Sequence, residues 1–344
     1  MTSQSSDHSH KLTESKHDKK VVIGVDVGGT KIAAGIVNAG GNVLYSVRRP
    51  TDTRHTQASL DSIANTVQQL IAEYGTVRQD IMGVGLGIPG LVDPQGGIGI
   101  ASVNLNWRDV PVVEGIQQRL NLPCQIENDV RAAALGEARF GAGQDIEDLI
   151  YLSIGTGIAA TILLGRKVYR GTNGIAGEIG HAVVDPDGPL CKCGTRGCFE
   201  VVASGPAIAN LARELASSYP GSSLLTLNNG NLDVLNAVQV FESARQGDAC
   251  ALETLDQVGG YIAFTLQFLI LAYDPQAIIL GGGVPLAGDL FLEPILKHLR
   301  NQAKDSWLLA KAFHPGLIRL AALGEQSGIL GAAAFVSIDP VAAM

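Results

Sequence analysis

Positive charge is what this sequence is short of. Its 25 Lys and Arg residues stand against 33 Asp and Glu, a formal net charge of −8. Nucleic-acid binding depends on clustered Lys and Arg neutralising phosphates, so the deficit argues against DNA or RNA as the main partner and leaves small molecules. No apolar run is long either. The most apolar stretch, Tyr261–Tyr273, is closed by Asp274-Pro275 and falls short of the roughly 20 residues of a bilayer span, so it reads as a buried helix. Residues 1–20 mix both charges without an apolar centre, unlike a secretory signal. They read as a disordered polar tail, and a cytoplasmic protein with no membrane partner is expected. At 344 residues and 46% hydrophobic content, the chain suffices for two domains with substantial cores.

Cysteine is scarce as well, but three of the five fall in one stretch. Cys124 and Cys250 stand alone in apolar or helical surroundings and read as core thiols. His181, Cys191, Cys193 and Cys198 supply one imidazole nitrogen and three thiolates, the closed four-coordinate shell of structural zinc, with Gly194 and Gly197 permitting the tight turn between them. A disulfide and a set of inert thiols compete with this reading. Cys191-Lys-Cys193 is poorly placed to close on itself, however, and no secretory context favours oxidation. Such a metal would hold Glu178 and Glu200 on its two flanks, and the second ring nitrogen of His181 would remain for a ligand hydroxyl.

Glycine is plentiful and sits after strands. Val21–Val37 is an apolar strand, a turn at Gly28-Gly29 and a second strand. Leu149–Leu164 repeats the pattern around Gly155-Thr156-Gly157, which suggests two related α/β domains. A third turn, Gly281-Gly282-Gly283, follows the strand at Ala277–Leu280. A Gly-Gly hairpin alone can be a plain β-turn. Three such turns together point to nucleotide binding: Gly28 and Gly29 at positive φ with open amides, Thr30 and Lys31 as added donors, Gly155, Thr156 and Gly157 for the outer phosphates. Gly281, Gly282 and Gly283 would clear side chains from a flat base or ribose. Asp26 would hold magnesium through water. The pattern differs from a P-loop and from a dinucleotide fingerprint.

In Gln125–Glu137 a strand end leads into a helix. Asp129 reads either as the helix cap or as the carboxylate that accepts a proton from an attacking hydroxyl. Asn104, Asn128, Glu178 and Glu200 provide the mix of donors and acceptors that a polyhydroxylated ligand needs. The rest alternates: an amphipathic stretch over Ala58–Tyr74, a short strand over Gly83–Gly87, a helix over Val112–Leu120, largely helical sequence over Gly205–Tyr273 and an Ala-rich closing helix over Ser327–Phe335. The class is α/β.

Asp26-Val-Gly-Gly-Thr-Lys31, Gly87-Ile-Pro-Gly90, Glu127-Asn-Asp129, Gly155-Thr-Gly157, Gly177-Glu-Ile-Gly-His181 and Cys191-Lys-Cys-Gly-Thr-Arg-Gly-Cys-Phe-Glu200 together resemble the ROK family of sugar kinases and repressors, over about Val21–Phe335. The resemblance implies two actin-like, ribonuclease H-like α/β domains around a central cleft. The small domain would cover 21–129 with a helix returning at about 326–338, and the large one 130–325 with the zinc segment at 178–200. It further implies a homodimer and transfer of phosphate from ATP, with Mg2+ and a structural Zn2+, to the 6-hydroxyl of a hexose. By the same resemblance Asp129 is the general base, and Asn104, Asn128, Asp129, Glu178, His181 and Glu200 contact the sugar. Ser102–Pro111 looks most like the branch that phosphorylates glucose. Twenty residues before Val21 are too few for the helix-turn-helix of the family's repressors. Ala159-Ala160 stand where many relatives carry Gly-Gly, from which slightly altered nucleotide contacts are expected.

Overall fold

Alternating β-branched residues set up two sheets, and the glycines between them decide where other elements come close. The computed structural model describes residues 20–336. The tail read over 1–20 lies outside them except for Lys20, as does the end of the closing helix at 337–338. The chain divides into two compact units, one running to Glu127 and resuming at Ala332, the other Asn128–Gly331.

In the first unit, strands β1 (Val21–Val27), β2 (Lys31–Asn38), β3 (Val43–Pro50), β4 (Ile81–Ile88) and β8 (Cys124–Asn128) lie in the order β3-β2-β1-β4-β8. β1 runs antiparallel to β2 and parallel to β4. Strands β5 (Leu91–Asp93), β6 (Ile98–Ser102) and β7 (Trp107–Pro111) form a small sheet of their own, which the sequence pattern did not announce. Helix α1 (Thr56–Tyr74) lays Ile63, Val67 and Leu70 on Ile23, Val25 and Ile36, and α2 (Val112–Leu120) adds Ile116 to the same core. On β4, a Cβ at Gly85 would collide with the Ala332 carbonyl, and one at Gly83 would lie 3.1 Å from Val336 Cγ1. Those glycines are the seat for the chain's last described residues.

The second unit repeats the plan. Strands β9 (Leu149–Ile154), β10 (Ile158–Leu164), β11 (Lys167–Tyr169), β12 (Ala277–Gly281) and β13 (Ile318–Leu320) take the order β11-β10-β9-β12-β13, with β9 antiparallel to β10 and parallel to β12. The same order of pairing in both sheets bears out the repeat read from the two hairpins. Strand alternation sends Ile150, Leu152, Ile154, Ile278 and Leu280 to one core and Leu149, Tyr151, Ala277 and Ile279 to another. The latter is covered by α3 (Asp129–Phe140) through Ala133, Ala134 and Ala138. Buried Glu137 ties this side together, accepting from the amides of Ala142 (2.8 Å), Ala322 (3.1 Å) and Leu323 (2.9 Å).

Helices α4 (Phe199–Ala203), α5 (Gly205–Ala216), α6 (Ala237–Arg245), α7 (Ala249–Tyr273), α8 (Asp289–Asp305) and α9 (Trp307–Ala312) follow, and α10 (Ser327–Ala334) closes the described chain. The apolar run at Tyr261–Tyr273 is the C-terminal part of α7, which starts much earlier because the Asp248 side chain caps the Ala251 amide. With 25 residues, α7 is long and apolar enough to cross a membrane, yet Val258, Ile262, Leu266 and Leu269 are buried in the unit's core. It is a core helix here.

Candidate functional site

The first glycine turn works by close approach rather than by backbone handedness. Neither Gly28 nor Gly29 has positive φ, contrary to the sequence expectation, and the Gly28 amide donates to the Lys31 carbonyl at 2.8 Å instead of standing open. Thr51 Oγ1 holds the Gly28 carbonyl at 2.7 Å. The glycines are needed because a Cβ at Gly28 would meet Lys31 O at 2.9 Å, and one at Gly29 would meet Asn104 O at the same distance. Thr30 and Lys31 are exposed at the turn. Half-buried Asp26 is the next-to-last residue of β1, and desolvation raises its carboxyl above the ordinary 3.8, with Lys31 pulling the other way. Asn104 is exposed while its neighbours Leu105 and Trp107 are buried, and Trp107 Nε1 donates to Ser59 Oγ at 2.7 Å.

At the start of α3 the cap is Asn128, one residue earlier than the capping alternative considered for Asp129. Asn128 Oδ1 accepts from the Arg131 amide at 3.1 Å. Asp129 Oδ1 is held by Asn128 Nδ2 at 3.0 Å and by the Val130 amide at 2.9 Å, so the carboxylate is fixed at the N-terminal end of a helix.

The second turn is also closed on itself, since the Gly155 amide donates to Gly157 O at 2.9 Å; as at Gly28, the expected open amide is engaged. Gly155 O accepts from Gly205 N at 2.8 Å, where Ser204 caps α5 and Pro206 occupies its first turn. The triple glycine divides its labour. A Cβ at Gly281 would strike the buried Tyr151 hydroxyl; Gly282 has φ +90° and lies where a Cβ would be 2.5 Å from Ile154 O; Gly283 faces open space. Gly155, Thr156, Gly205 and Gly283 line a cavity of about 430 Å³ whose far wall is Val238, Phe241, Leu286 and Ala287, with Arg245 at its edge. Sequence reasoning found the glycines and missed that wall. Its residues come from separate segments and carry no local signal beyond Ser204-Gly205-Pro206, a helix-start pattern.

His181, Cys191, Cys193 and Cys198 converge, with one donor atom from each within 4.8 Å of the others. Cys191 Sγ lies 3.7 Å from His181 Nδ1 and Cys193 Sγ 3.5 Å from Cys198 Sγ. Donors about 2.3 Å from a tetrahedral zinc stand roughly 3.8 Å apart, so the four fit the ion. Gly194 and Gly197 both take positive φ, as the tight turn requires. The Thr195 amide and the neighbouring thiols hold exposed Cys193 down to about 6. Tyr261 of α7 donates to Asp185 Oδ2 at 2.9 Å and anchors the segment. Cys124 and Cys250 are buried core thiols, as read from the sequence.

Glu178 and His181 are exposed and Glu200 is half-buried. Glu178 and His181 line a second cavity, of about 690 Å³, together with Gly177 and Ala160. Ala160 borders the Glu178–His181 side. Ala160 also gives its amide to Gly177 O at 2.7 Å.

Residues 22–338 match the model of the ROK family. A glucokinase of Streptomyces coelicolor is 38% identical over 316 residues, 91% of this chain and 96% of that protein. The crystal structure of a ROK family glucokinase from Streptomyces griseus in complex with glucose and AMPPNP is similar at a TM-score of 0.77, with 38% identity and coverage of 91% and 98%. A ROK hexokinase from Thermus thermophilus is similar at 0.71, with 31% identity and coverage of 91% and 97%.

Proposed function

The chain belongs to the ROK family, and from that premise we propose that it transfers the γ-phosphoryl group of ATP to the 6-hydroxyl of glucose. The observation that carries this reading is the 38% identity, over nearly the whole of both chains, to a protein solved with glucose and AMPPNP. Asp129 accepts the proton of the attacking hydroxyl, a role supported by its fixed carboxylate at the start of α3. Asn104, Asn128, Glu178, His181 and Glu200 are the proposed sugar contacts, with Asp129 itself.

The cavity at Gly155, Thr156 and Gly283 suits the base, since its wall of Val238, Phe241 and Leu286 offers apolar surface rather than charge. Gly157, Gly281 and Gly282 shape the turns beside it, and Gly28, Gly29, Thr30 and Lys31 serve the phosphates. Asp26 would hold Mg2+, which would offset the charge of the phosphates. Zn2+ would be held by His181, Cys191, Cys193 and Cys198 and would supply local rigidity with no open coordination position. The family pattern supports a cytoplasmic homodimer.

The test is an ADP-release assay with Mg-ATP against glucose, mannose, fructose, N-acetylglucosamine and N-acetylmannosamine. A clear kcat/KM preference for glucose is expected. Preference for another sugar overturns the substrate, and absence of turnover on all five overturns the kinase.

A further inference from the structure

Glu200 stands at the end of the metal-binding segment, yet its carboxylate reaches the nucleotide turn. Oε2 accepts from the Ile158 amide at 3.0 Å, and a Cβ on Gly157 would lie 2.6 Å from the same oxygen. Among the described residues this is the one hydrogen bond shown at that carboxylate. The same segment grips β10 again further on: a Cβ on Gly180 would collide with the Ile158 carbonyl, and Ala160 N donates to Gly177 O at 2.7 Å. At its other end the turn hangs from α5 by the Gly205 amide on Gly155 O at 2.8 Å. The Gly155–Gly157 turn, which closes the β9–β10 hairpin, is thus also held from outside by α5 and by one charged side chain.

We infer that Glu200 is a coupling residue: by holding the Ile158 amide it positions the Gly155–Gly157 turn, so that sugar at its carboxylate and nucleotide at the turn bind cooperatively. The inference rests on the proposed sugar contact of Glu200. A sugar hydroxyl on the carboxylate fixes the side chain, and a turn already fixed loses less freedom when the nucleotide arrives. Linkage makes the effect reciprocal, with each ligand tightening the other by one factor. Gly157 is the matching point on the turn. Its φ is not positive, so alanine there is free of backbone strain and acts by pushing the Glu200 carboxylate aside.

Calorimetric titration of Mg-AMPPNP into the full chain, with and without glucose, tests this on the wild type and on Glu200→Ala, Glu200→Gln and Gly157→Ala, with thermal midpoints measured alongside. In the wild type glucose should tighten nucleotide binding, and nucleotide glucose binding, by one factor of roughly 5–150. Glu200→Ala should weaken sugar-free nucleotide binding about tenfold and bring the coupling factor to about one. Glu200→Gln should fall in between, because its amide oxygen still accepts from Ile158. Gly157→Ala should weaken glucose binding. Sugar-free nucleotide affinity unchanged in Glu200→Ala makes Glu200 a sugar contact only and overturns the inference. Should that variant fail to fold, unchanged glucose affinity in Gly157→Ala overturns it equally. A wild type that binds no glucose refutes the proposed function, while the sugar-free titrations still decide the link from Glu200 to the turn.

Discussion

The carbonyl oxygen of Asn104 lies 2.9 Å from where a Cβ on Gly29 would stand. The residue proposed to meet the sugar and the turn proposed to meet the phosphates are therefore packed backbone to backbone, with no slack for even one methyl group. Gly29→Ala should lower kcat/KM for glucose and for ATP together, by up to about 10²-fold, whereas Asn104→Ala should raise KM for glucose alone. Initial-rate kinetics in both substrates separates these outcomes, and an unperturbed Gly29→Ala enzyme would mean that the turn can move independently of Asn104.

Asp129→Asn retains the shape of the side chain and removes its basicity. Turnover should fall by roughly 10²–10⁴-fold while calorimetric glucose affinity stays close to that of the wild type. Near-normal kcat would take Asp129 out of the proton-accepting role.

Asp26 is costly to the fold when ionised. Burial raises its carboxyl above the ordinary 3.8, so the native state binds a proton more readily than the unfolded one. The resulting penalty is absent below the unfolded value, grows as pH rises from there to the raised native value and is constant above it. Asp26→Asn should therefore raise the melting temperature of the ligand-free protein at neutral pH, lose that advantage toward pH 3, and greatly reduce kcat because magnesium loses its carboxylate. Melting curves across pH, paired with rate measurements, read both effects. An asparagine variant no more stable than wild type at pH 7 would contradict the burial cost.

The triple glycine offers two contrasting alanines. Gly282→Ala forces a side chain onto φ +90° and to 2.5 Å from Ile154 O, and should destabilise the second unit by about 1–3 kcal/mol. Gly283→Ala meets open space and should melt like the wild type, yet raise KM for ATP by narrowing the cavity. Denaturant titration and ATP kinetics on the pair would show whether the fold and the ligand indeed demand different glycines.

For the metal knuckle, elemental analysis of the purified protein should find about one zinc per chain. Cys198→Ser should lose most of it and melt several degrees lower, since the three remaining donors then face one another without the ion to hold them. A wild type free of metal after purification without chelators would refute the site.

Much of this site is written locally. The hairpins β1–β2 and β9–β10 were legible because apolar alternation stops at glycine and resumes, and the metal quartet because its three thiols fall within eight residues of one another. Asn128-Asp129 was legible as a strand end entering a helix. The reading went wrong where glycine was given a conformational reason: Gly28, Gly29 and Gly155 were expected to open amides, and instead they let distant backbone approach or close the turn on itself.

The sequence by itself determined the α/β class, the repeated hairpin and the convergence of His181 with three cysteines, since strand period, turn residues and ligand spacing act over a few residues. Only the tertiary structure decided that Val238, Phe241 and Leu286 wall the cavity beside Thr156, that Glu200 holds the Ile158 amide, and that Glu137 ties three backbone amides. Those contacts join residues far apart in the chain, and close packing of the sheet against its helices, which no local pattern encodes, is what brings them within reach.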